Sequence, residues 1–212
     1  MDLGVEEVGM DGIELDPVEA RVLGVLIEKQ MTTPDTYPLT LAAAVAGCNQ
    51  STNREPVMSL GEDEVEPALV RLHDLGLATP VRRQGDRVTK YRHKAGETLE
   101  LSPAAQAVLA VLLLRGPQTA GELRSRTERY TTFGSVDEVE AVIDRLEEAG
   151  LARRLPRAPG QSQRRVAETL AGSEAAPPRT EVEEPGPNLG ERLELLEQRF
   201  DELLRRLGVD DL

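Results

Sequence analysis

Asp63–Ala78 reads DEVEPALVRLHDLGLA, and Asp137–Ala152 reads DEVEAVIDRLEEAGLA. Nine of the sixteen positions are identical, so the chain carries one structural unit twice. In the first copy Val65, Leu69, Leu72 and Leu75 share one helical face, as Val139, Ile143 and Leu146 do in the second. Gly76 and Gly150 follow, supplying the left-handed residue that ends many helices.

The repeat extends in both directions. Upstream, Leu15-Asp16-Pro17 followed by Val22, Leu23 and Leu26 matches Leu101-Ser102-Pro103 followed by Val108, Leu109 and Leu112. Asp16 or Ser102 caps a first helix with Pro in its first turn, and Gly116-Pro117 stops the second copy of it. A short second helix is expected near Thr40–Ala46 and again at Thr119–Arg126, where Thr119 and Glu122 have capping-box spacing. The third helix begins near Gly61 or Ser135. Downstream, Val81–Arg83 and Val88–Tyr91 flank a Gln-Gly-Asp turn, and Ala152–Leu155 and Arg164–Ala167 flank Pro159-Gly160, so each unit closes in a β-hairpin. Three helices and a hairpin make a winged helix. The expected class is mainly α with small β-hairpins (α+β), comprising two tandem winged-helix domains at 15–96 and 97–171.

The flanks read differently. Residues 1–14 form an acidic leader without a basic residue, and 172–188 (GSEAAPPRTEVEEPGPN, Gly172–Asn188) are too poor in large apolar side chains to order themselves and form a linker. In 189–212, Leu189, Leu193, Leu196, Phe200, Leu203 and Leu207 alternate spacings of four and three, the seam of an amphipathic or coiled-coil helix. About three heptads are too few for an isolated helix, so this one is expected to form a homo-oligomer or dock on its own core.

Composition removes several function classes. The 212 residues carry 25 Lys and Arg against 38 Asp and Glu, for a net charge of −13, which is opposite to what coating nucleic acid requires. Five aromatic residues, none of them Trp, do not make a base-stacking surface. One Cys and two His complete neither a tetrahedral zinc site nor an intramolecular disulfide, and the longest apolar run, Val108–Leu114, is far below the roughly 20 residues that span a bilayer. The reading is a cytoplasmic protein with no membrane association and no cofactor or metal.

The charge is unevenly placed. The first hairpin carries Arg82, Arg83, Arg87, Lys90, Arg92 and Lys94 against Asp86 alone, and the second carries Arg153, Arg154, Arg157, Arg164 and Arg165 with no acid. These arginines and Lys90 are the candidate nucleic-acid contacts. The third helices are acidic, with Glu62, Asp63, Glu64 and Glu66 opening the first, which disfavours their entry into the major groove.

The strings LDPVEARVLGVLIEKQMTTPDTYPLTL (Leu15–Leu41), CNQSTNREPV (Cys48–Val57), VTKYRH (Val88–His93) and LLLRGPQTAGELRSR (Leu112–Arg126) resemble the bacterial YceH-like family over roughly Ile13–Leu170. The resemblance implies a tandem winged-helix fold and often a helical C-terminal tail, but no reaction. It also implies a Lys where this chain has Ser51.

The Cys48–Val57 loop lies in a stretch twelve residues longer than its counterpart in the second unit. Asn49, Gln50, Asn53 and Arg54 there are a candidate recognition set for bases, a peptide or a small anion; alternatively they hold the loop together by hydrogen bonds. Cys48 with His73 or His93 is a weak basis for nucleophilic catalysis, and no phosphate-binding glycine loop or paired-carboxylate site is present. Two expectations follow. The first is a non-enzymatic protein of DNA-linked regulation whose basic wings contact double-stranded DNA; the second is an adaptor for a protein partner, comparable to the tandem winged-helix subunit of bacterial condensin, without direct DNA binding.

Overall fold

The computed structural model describes residues 13–82, 88–157, 160–161 and 163–171. The leader up to residue 12, Arg83, Arg87, the linker and the six apolar positions from Leu189 to Leu207 lie outside the described residues.

Helix α1 spans Pro17–Thr32. Asp16 caps it by accepting from the Val18 and Glu19 amides, and Glu19 reaches back to the Asp16 amide, 3.0 Å away. α2 (Leu41–Cys48) is capped by Thr40, which belongs to a two-residue strand β1 (Leu39–Thr40). α3 (Glu62–Asp74) ends at Gly76, whose φ of +71° is the left-handed turn expected there. The chain then runs antiparallel through β2 (Ala78–Val81) and β3 (Lys90–His93). A single turn, α4 (Ala95–Thr98), leads to the second copy: α5 (Pro103–Arg115), α6 (Ala120–Thr127), α7 (Val136–Glu148), β4 (Ala152–Arg154) and β5 (Val166–Glu168). The architecture is mainly helical with small antiparallel sheets.

Several details differ from the sequence reading, which includes no turn of helix at α4 and sets the later strand of each hairpin about two residues too early. The first pair of strands begins three residues earlier than expected, at Ala78, because Leu77 and Ala78 are buried and carry the chain directly out of the core. β1 adds a third strand, pairing Leu39 with Tyr91 and Thr40 with Lys90; two residues are too short to give a period-2 signal. In the second copy the same position is a lone bridge, Gln118 with Val166.

α1 and α5 lie at the centre and are buried around their whole circumference over most of their length. Every residue from Glu19 to Glu28 is buried, as is every residue from Ala107 to Leu114. Gly24 permits their close approach, since a Cβ there would lie 2.9 Å from Leu114 Cγ. The apolar faces of α3 and α7 close the core from outside, and one continuous set of buried residues runs from Leu15 to Leu170. The copies are also joined through the main chain: the Glu55 amide donates to the Leu114 carbonyl at 2.8 Å, and the Leu15 amide to the Leu170 carbonyl at 2.7 Å.

Candidate functional site

The structure separates the candidate residues into two places. The first is the hairpin of the second copy. Arg153, Arg157 and Arg164 are exposed and make no ion pair with a described residue. Arg157, Gln163 and Arg164, with the paired Arg154 and Glu140, line a pocket of about 350 Å³ against Ala120 and Val136, the first residues of α6 and α7. Two other arginines of this hairpin are already occupied. Arg154 is held by Glu140 and Asp144, each at 2.7 Å, and by Glu147, and these carboxylates raise its pKa further. Arg165 pairs with Glu122 at 3.1 Å and donates to the Pro117 carbonyl at 2.7 Å. In the first copy Arg82 is exposed, Lys90 is half-buried, and Arg92 pairs with Glu97 at 3.1 Å. Glu62, Asp63, Glu64 and Glu66 on α3 face solvent.

The second place is the Cys48–Val57 loop, where most of the candidate side chains turn inward. The Asn49 side chain spans the loop, donating to the Leu60 carbonyl at 2.8 Å and accepting from its amide at 2.7 Å. Arg54 is buried to 4% exposure and meets Glu28 through two nitrogens, at 2.5 and 3.3 Å, while also donating to the Gly47 and Asn53 carbonyls. A guanidinium so enclosed is not a free recognition group; it stitches the loop to α1. Asn53 itself takes the left-handed conformation, φ 61°, which Asn tolerates better than most residues.

Glu28 is the centre of this network and was not legible as such in the sequence. Its carboxylate accepts from Arg54, from Lys29 at 3.2 Å and from the Tyr130 hydroxyl at 3.1 Å. Burial raises the pKa of Glu28, but Arg54 and Lys29 outweigh burial and hold it below the ordinary carboxylate value. Arg21, also on α1 and 2% exposed, donates to the Cys48 and Pro56 carbonyls at 3.2 and 2.7 Å. Glu28 and Arg21 sit inside a helix stretch that otherwise reads as core, so only their position within that run hints at a buried charge.

Glu28, Lys29 and Thr32 of α1, residues 50–53 of the loop and Arg129 line a polar pocket of about 370 Å³. Gln50 keeps its amide oxygen on Arg54 at 2.9 Å and on Lys29 at 3.4 Å. Both cations only donate, so the Gln50 amino group is directed away from them. Ser51, Thr52 and Arg129 are exposed.

Cys48 is fully buried, and burial pushes its thiol up to about 11, which leaves it protonated at neutral pH. Neither histidine is hydrogen-bonded to it: His73 Nδ1 lies 3.2 Å from the Ala78 carbonyl, and His93 packs beside Tyr37 with both ring nitrogens buried. Among the described residues, no group of three or more His, Cys, Asp or Glu side chains could hold a metal ion, and no helix is long and apolar enough to cross a membrane.

Comparison with known proteins places this arrangement among bacterial relatives. The chain is 52% identical to UPF0502 protein azo0627 of Azoarcus sp. (strain BH72) over 164 residues, covering 76% of this chain and 73% of that one. It is 47% identical to a UPF0502 protein of Geotalea uraniireducens (82% and 80% covered) and 44% identical to one of Solibacter usitatus (91% and 94%). A family model described as "Protein of unknown function, DUF480" matches residues 15–161, nearly the whole span of the two copies, and the chain therefore belongs to the DUF480/UPF0502 family of bacterial proteins.

Proposed function

We propose that the chain is a non-enzymatic, cytoplasmic tandem winged-helix protein of DNA-linked regulation, in which the hairpin of the second copy is the principal phosphate contact. The observation that carries this reading is the placement of Arg157 and Arg164 opposite the first residues of α6 and α7. Helix starts offer unpaired amides and the positive end of the helix dipole, and guanidinium groups add fixed charge and paired donors, so a phosphate oxygen would meet both. Arg153, on β4, is a further exposed arginine of the same hairpin. The first hairpin contributes Arg82 and Lys90. The apolar seam of 189–212 favours self-association through a coiled coil.

The test is duplex binding by fluorescence anisotropy across a salt series. Affinity should fall steeply with salt, and Arg157→Ala with Arg164→Ala should reduce the log–log slope by about 1 for each phosphate no longer neutralised. A second reading rests on the exposed acids of α3, which repel phosphates and suit a basic protein partner. Absence of duplex binding at low salt, with a partner retained from lysate after nuclease treatment, would favour that adaptor.

A further inference from the structure

We propose that the polar pocket between α1, the residue 50–53 loop and Arg129 binds the phosphate group of a small dissolved ligand, held jointly by the two copies of the repeat. The lining is rich in donors. Lys29 has an ammonium that meets Glu28 and Gln50 at 3.2 and 3.4 Å and retains further hydrogen-bonding capacity. Arg129 brings a second cation from the other copy, and the Gln50 amino group, the Ser51 and Thr52 hydroxyls and the Asn53 amide supply neutral donors.

The single acid in the lining does not cancel this charge. Glu28 already accepts from Arg54, Lys29 and Tyr130. Arg54 stands buried behind it, so Lys29, Arg129 and Arg54 give the immediate surroundings more positive than negative charge. At the adjoining end of α1, where carbonyls would repel an anion, the Thr32 and Thr33 hydroxyls donate to the Glu28 and Lys29 carbonyls at 2.9 and 3.2 Å. A phosphate monoester presents three terminal oxygens and accommodates more donors than a carboxylate does, which is why phosphate is the better match. A volume of about 370 Å³ lies within the ordinary range for small-ligand sites.

The position gives such a ligand a structural consequence. Arg129 precedes Tyr130, whose hydroxyl reaches Glu28 across 102 positions of sequence. A phosphate contacting Arg129, Lys29 and the loop would fasten the C-terminal end of α6 to α1.

The experiment uses the full chain, titrated with inorganic phosphate and with a nucleoside 5′-monophosphate at constant ionic strength. Binding is followed by calorimetry and by the chemical shifts of the Ser51, Thr52 and Arg129 amides. Saturable shifts at these amides are expected, and Arg129→Ala, an exposed change, should weaken binding roughly tenfold. Ser51→Ala with Thr52→Ala should weaken it too. Flat titrations with both probes, shifts that chloride reproduces, or binding unaffected by Arg129→Ala would overturn the proposal. So would shifts produced by duplex DNA alone. Loss of duplex binding in the salt series leaves this site standing, and flat phosphate titrations leave the DNA reading standing.

Discussion

At the residue scale, two buried groups tie stability to pH in separate windows. His93 is 4% exposed, neither ring nitrogen has a hydrogen-bond partner among the described residues, and burial aided by Arg92 lowers its pKa to about 4. The unfolded chain therefore binds a proton that the folded chain refuses. Stability is complete above about pH 6.5 and falls as the pH drops from there toward 4, by roughly 3 kcal/mol in all. His93→Phe should remove that slope in urea melts taken across the interval; an unchanged slope would show that another group is responsible. Glu28 acts lower. Its folded pKa is depressed, so its contribution is present above about pH 4.5 and disappears as the pH falls through the folded value. At neutral pH, Arg54→Ala leaves the Glu28 carboxylate buried with one principal cation missing, and should cost about 3 kcal/mol by chemical denaturation. Tyr130→Phe removes only a neutral donor to that carboxylate and should cost about half as much.

At the element scale, the crossing of α1 and α5 is the contact on which both copies depend. A methyl group at Gly24 would meet Leu114 Cγ at 2.9 Å and Leu113 Cβ at 3.1 Å, inside the tightest normal packing. Overpacking of this kind costs about 1–3 kcal/mol, and the helix preference of Ala over Gly returns up to about 1. Gly24→Ala should thus lower the thermal midpoint, while Gly24→Val, bulkier and β-branched, should lower it much further; an unchanged midpoint for the valine variant would mean that the two helices are not in contact here. These elements were legible in the sequence because most starts carry a side-chain cap and each third helix is followed by a glycine in the duplicated string. Asp16, Thr119 and Ser135 all accept backbone hydrogen bonds as their spacing suggests. What was not legible depends on distant partners. β1 exists only because β3 lies beside it, and Leu39 pairs with Tyr91 far along the chain. Arg54 looks in sequence like a loop arginine available to a ligand; its enclosure is decided by Glu28, 26 residues earlier, and by Tyr130, which no local pattern connects to either. Likewise the arginines of the second hairpin look equivalent in sequence, yet Arg154 and Arg165 face the acids of α7 and α6 while Arg153, Arg157 and Arg164 face solvent.

At the scale of the whole molecule, the net charge of −13 belongs mainly to the ends of the chain. Residues 1–14 contribute −5 and residues 173–212 contribute −6, leaving the part between them close to neutral. Within that part, ion pairs neutralise Arg54, Arg92, Arg154 and Arg165, whereas Arg82, Arg153, Arg157 and Arg164 of the hairpins are exposed without an ion pair to a described residue. If the hairpins contact DNA as proposed, acidic segments joined to the same chain would compete with DNA phosphates for those arginines at a high effective concentration, without requiring a fixed complex. A chain lacking Met1–Glu14 and Ser173–Leu212 should therefore bind a duplex several-fold more tightly at low salt. The gain should shrink as salt is added, because the charges in question are exposed and screening lengths fall to about 8 Å at physiological ionic strength. Two anisotropy series, full-length and trimmed, decide the matter. Curves that converge at high salt and part at low salt identify competition by the acidic ends. Parallel curves, offset equally at every salt concentration, would mean that trimming altered the hairpin surface itself, and coincident curves would mean that the ends do not compete for it.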